Sequence, residues 1–76
     1  MCSEYMETIS KLLTIMVAEG FEAELTLSLL RGWAKCCLPF CEAWLKYVQS
    51  RTCSANKHVK NRAYDVLREM ALQDEY

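Results

Sequence analysis

The chain has 76 residues, 53% of them hydrophobic and 25% charged, with a formal net charge of −1. That length bounds it to one domain, 1–76, with little interior for so much apolar surface, so a dense helical core, a subunit interface or both are expected. No apolar run reaches the ~20 residues of a membrane span, and Glu4 and Glu7 stand where a secretory signal would be basic, so neither a membrane helix nor export is expected and a cytoplasmic protein is.

The first predicted helix covers 4–19. Ser3 is its candidate N-cap, and Glu4 and Glu7 favour the positive end of the helix dipole. Tyr5, Met6, Ile9, Leu12, Leu13, Met16 and Val17 recur at helical spacing, opposite Glu7, Ser10, Lys11 and Thr14. Gly20 ends the helix as the residue that takes a left-handed conformation without penalty, and Phe21 is expected to tuck under that turn.

The second helix starts between Glu22 and Thr26. LTLSL also reads as a strand, but a lone strand has no partner in an otherwise helical chain. The stretch WAKCCLPFCEAWLKYV from Trp33 to Val48 is the apolar spine. At about 100° per residue, Arg31, Lys35, Glu42, Lys46 and Gln49 share one narrow polar strip. Leu30, Trp33, Cys37, Phe40, Trp44 and Tyr47 form one apolar stripe, with Ala34, Leu38, Cys41, Leu45 and Val48 beside it. Such a helix is covered by two or more neighbours. Gly32 weakens it by about 1 kcal/mol relative to alanine and is a candidate close helix crossing. Pro39 allows a kinked continuous helix or a break with Pro39 opening a new helix. The hydrophobic phase passes Pro39 without a slip, which favours the kink.

Residues 50–56 are a loop, with Thr52 and Ser54 as candidate N-caps. A third helix over 55–72 carries Val59, Ala63, Val66, Leu67 and Met70 on one face. The fold class is therefore all-α: a three-helix domain with a long, Pro-kinked central helix, assembled as a helical homodimer through the first and second helices.

Motifs for chemistry are sparse. Cys37, Cys41, Cys53 and His58 have the residue types of a structural zinc site, but C-x3-C spanning a proline is not the usual knuckle. Cys37 and Cys41 are expected as buried thiols in the apolar stripes. His58 is the only histidine, and no strand-turn-helix or glycine-rich context surrounds any cysteine, so no catalytic residue, metal or cofactor is assigned and an enzyme is not expected.

Charge is segregated. Residues 1–25 hold five acids and one base, 26–62 seven bases and one acid, and 63–76 four acids and one base. Arg51, Lys57, Lys60 and Arg62 gather near the start of the third helix, where the dipole prefers acids, which marks a basic corner for an acidic protein surface. Trp33, Phe40, Trp44 and Tyr47 are the expected core of the fold or of an interface. The expected function is a small protein-binding module that modulates a larger partner, inhibiting it by occluding a functional surface. The alternative is a small DNA-binding regulator using the basic front of the third helix in a helix-turn-helix outline. Its connection is long and lacks glycine, and an acidic chain matches duplex phosphate poorly.

Overall fold

A computed structural model of the protein describes residues 2–36 and 38–73. They form four α-helices: α1 (Cys2–Glu19), α2 (Ala23–Lys35), α3 (Glu42–Arg51) and α4 (Lys57–Gln73), with no strand among the described residues. The all-α class is as expected; the three-helix count is not. None of the described helices is long and apolar enough to cross a membrane.

Local chemistry sets most of the helix ends. Gly20 has φ +67, and the Phe21 N–H donates to the Met16 carbonyl at 3.0 Å, the closure of a left-handed C-terminal motif. Phe21 itself is 51% exposed and does not tuck beneath the turn. Glu22 caps α2, its carboxylate accepting from the N–H groups of Glu24 and Leu25 at 3.1 and 3.3 Å. α1 starts at Cys2, so Ser3 lies within the helix and not at its cap. The cap of α4 is Asn56, whose Oδ1 accepts from the N–H groups of His58 and Val59. Thr52 and Ser54, expected in that role, do other work: the Thr52 hydroxyl donates to the Gln49 carbonyl at the end of α3, and Ser54 Oγ accepts from the Asn56 N–H.

The expected kinked central helix is instead a break over 38–41. Proline removes a backbone donor and disfavours helix in the residue before it, and α2 stops at Lys35. The indole N–H of Trp33 then donates to the Pro39 carbonyl at 2.9 Å. A continuous helix would hold residues six apart about 9 Å along the axis, out of that reach. The apolar phase survived the break in the sequence because the connection itself packs: Leu38 and Phe40 are partly buried against the core.

One core joins the four helices: Leu13 and Met16 from α1, Leu27, Leu30 and Trp33 from α2, Trp44 and Val48 from α3, and Val59, Ala63 and Val66 from α4. α2 and α4 pack most extensively. The Trp44 indole donates to Thr14 Oγ1 at 3.3 Å, tying α3 to α1. Gly32 is not a helix crossing, since a Cβ added there would meet nothing within 4 Å.

Candidate functional site

The four aromatics expected as core or interface lie in or against the core of this single chain. Trp33 and Trp44 are 8% and 2% exposed. They meet edge to face at 5.4 Å between ring centroids, and Phe40 meets Trp44 the same way at 5.5 Å. Tyr47 is partly buried beside them, with the Arg51 guanidinium 5.2 Å above its ring.

The basic residues do not converge on one corner. Arg51 closes α3, occupied over Tyr47, and donates from Nε to Ser50 Oγ at 3.2 Å. Lys57 and Lys60 lie about 60° apart around α4, whereas Arg62 is about 140° or more from both, on the other flank. The helix terminus behind them is partly satisfied, because Asn56 already accepts two of its N–H groups. The outward line of α4 runs through Lys57, Asn61, Tyr64 and Arg68, all exposed.

The cysteine and histidine set does not assemble. Cys41 precedes α3 and Cys53 follows it, so a helix of about 15 Å separates two thiols that one zinc ion would hold within ~4 Å of each other. Cys41 was expected in an apolar stripe but is exposed, because the break places it at the N-cap of α3 and outside any helix face. Cys37 lies outside the described residues. Among the described residues no three metal-binding side chains are grouped.

Two surface features remain. The first is an open groove of about 320 Å³ between α1 and the 38–41 connection, lined by Met6, Glu7, Ser10, Lys11, Trp33, Leu38 and Pro39. The second is apolar surface. Among the described residues, seven of the nine exposed large hydrophobics fall between residues 5 and 29: Tyr5, Ile9, Leu12 and Ile15 on α1, Phe21 in the turn, and Leu25 and Leu29 on α2. Isolated exposed leucines are ordinary, but several large apolar residues on one helix face mark interaction sites.

Sequence reasoning placed Tyr5, Ile9 and Leu12 with Leu13 and Met16 on one inner face and gave Ile15 no role. The signal was present in the width of the pattern. At 100° per residue the apolar positions of α1 span about 200°, more than one packed neighbour covers. Compared with models of known protein families, with curated proteins and with solved structures, the chain has no match.

Proposed function

We propose that the chain is a non-enzymatic protein-binding module that docks through the outer face of α1 and inhibits a larger partner by covering a functional surface. The observation that carries this reading is the exposure of Tyr5, Ile9, Leu12 and Ile15 along one flank of α1, next to the residues of the same apolar arc that are buried. Large aromatic and aliphatic side chains in that setting are the usual anchors of an interface. Of the basic residues, Lys57 and Lys60, which share a flank of α4, meet acidic side chains of the partner and speed encounter, whereas Arg51 and Arg62 do not join them.

A homodimer, suggested by the apolar content, is the competing occupant of the same α1 face. Light scattering at micromolar concentration reads it directly, and a dimeric mass that Ile9→Ser with Leu12→Ser converts to monomer identifies that assembly. The general reading is tested by affinity capture from native extract with wild-type protein and with the same double variant. A partner lost with the variant supports the reading, and capture unaffected by it removes α1 from the interface.

The second reading, DNA binding through α4, is favoured by the exposed line of Lys57, Asn61, Tyr64 and Arg68. Lys57→Glu with Arg68→Glu would abolish retention of duplex DNA. No retention of wild type even at low salt sinks that reading.

A further inference from the structure

The apolar arc of α1 is wider than the domain covers, and the charge around its uncovered part selects what covers it. On the inner side Leu13 and Met16 are buried, with Met6 and Val17 packed against the core. On the outer side Tyr5, Ile9, Leu12 and Ile15 are 77, 45, 51 and 57% exposed. A helix greased over so wide an arc sits between two layers, and the domain supplies one.

The outer face has acidic margins. Glu4 and Glu19 stand beside it toward its two ends and are exposed, and Glu22 follows at the start of α2. Lys11 lies near the Glu4 margin and is the one base in residues 1–25, against five acids, so the margins are net acidic. The ion pairs among the described residues are Arg31 with Glu69, Lys46 with Glu42 and Arg68 with Asp65, so none neutralises these carboxylates. Pairing α1 with its own copy would set this acidic segment against itself, and like charges across an interface oppose association. A helix apolar along its centre and basic at its margins is complementary in both respects.

Resting on the reading that α1 is the docking surface, we infer that its occupant is a basic amphipathic helix of the partner protein. Apolar side chains of that helix, spaced three and four apart, seat against Ile9 and Leu12 in the helix-in-groove manner. Its Lys and Arg residues reach Glu4 and Glu19. Because the attraction is between exposed charges, binding weakens as salt rises.

The test uses the intact protein and labelled peptides as long as α1, 18 residues, read by fluorescence anisotropy at low and physiological salt. One peptide is a Leu/Lys amphipathic helix, a second keeps its leucines but replaces Lys by Glu, and a third scrambles the Leu/Lys order. The Leu/Lys helix is expected to bind at least about tenfold more tightly than either control. Ile9→Ser with Leu12→Ser, which keeps the charge, and Glu4→Lys with Glu19→Lys, which keeps the apolar face, are each expected to weaken it by about tenfold. Both pairs are exposed, so circular dichroism melts should stay close to wild type; Leu72→Ser on α4 should leave binding unchanged.

Equal binding of the Leu/Glu helix, no binding of any peptide, or binding indifferent to the α1 substitutions overturns the inference. So does a wild-type dimer dispersed by Ile9→Ser with Leu12→Ser, which makes the occupant a second copy. If those substitutions abolish capture of the native partner while the peptides show no charge preference, α1 remains the interface and only the basic helix is rejected. If capture survives them, both readings fall.

Discussion

Trp44 tests whether the aromatic cluster is the core of a single chain or an interface between chains. Its side chain is 2% exposed, packs edge-on against Trp33 and Phe40, and donates its indole N–H to Thr14 on α1. Trp44→Ala removes all of these contacts and leaves a cavity between α1, α2 and α3, at a cost of about 3–5 kcal/mol. A chain of this length has a total stability of about 4–11 kcal/mol. The variant should therefore stand near the edge of unfolding at room temperature. Phe40→Ala, at a half-buried site, should cost about 1–2 kcal/mol.

Urea titration followed by far-ultraviolet circular dichroism measures both losses, and Trp44→Leu gives an intermediate point if the alanine variant is unfolded. For a residue of the core, the loss is the same at every protein concentration. For a residue of a subunit interface the wild-type midpoint would rise with concentration, and the substitution would remove that dependence. A Trp44→Ala cost below about 1.5 kcal/mol, or a concentration-dependent midpoint that the substitution abolishes, would refute the placement of Trp44 in the monomer's core.

Gly32→Ala should raise stability by about 0.5–1 kcal/mol, because the new methyl group meets open space and helix propensity improves; a loss in thermal denaturation would reveal a close contact at that position. Asn56→Ala should cost about 1 kcal/mol by freeing the N–H groups of His58 and Val59, whereas Asn56→Asp should be nearly neutral. Equal melting temperatures for all three proteins would reject the cap. Arg31 and Glu69 join α2 to α4 at 3.9 Å, with the Glu69 side chain 14% exposed and Arg31 Nε buried without a partner. Arg31→Leu alone should destabilise by about 1–3 kcal/mol by stranding that carboxylate, and adding Glu69→Leu should recover most of the loss. Additive losses in the double-mutant cycle would show that the two groups are not coupled.

A small fold exposes a conflict between local pattern and packing with little to obscure it. α1 is apolar over more of its surface than α2 and α3 can cover, and Cys41 carries an apolar phase yet reaches solvent. Both cases come from treating periodicity as a statement about neighbours. Periodicity says which residues share a direction, whereas the number of neighbours in that direction depends on the whole arrangement.

The sequence by itself determined the helical class, the end of α1 at Gly20 and the inner line of Val59, Ala63 and Val66 on α4. These depend on terms local to a turn or two of chain: the free left-handed conformation of glycine and the 3.6-residue repeat. It also contained the separation of Arg62 from Lys57 and Lys60, which the same repeat expresses.

Tertiary structure alone decided the break over 38–41, because a kink and a break satisfy Pro39 equally well until the Trp33 indole finds the Pro39 carbonyl. It alone decided which half of α1 is buried, since Leu13 and Ile9 are interchangeable in pattern and differ only in whether α2 and α3 lie against them. The candidate docking face is what remains after that choice: the width of the apolar arc announced a surplus, and only the packing decided which residues make it up.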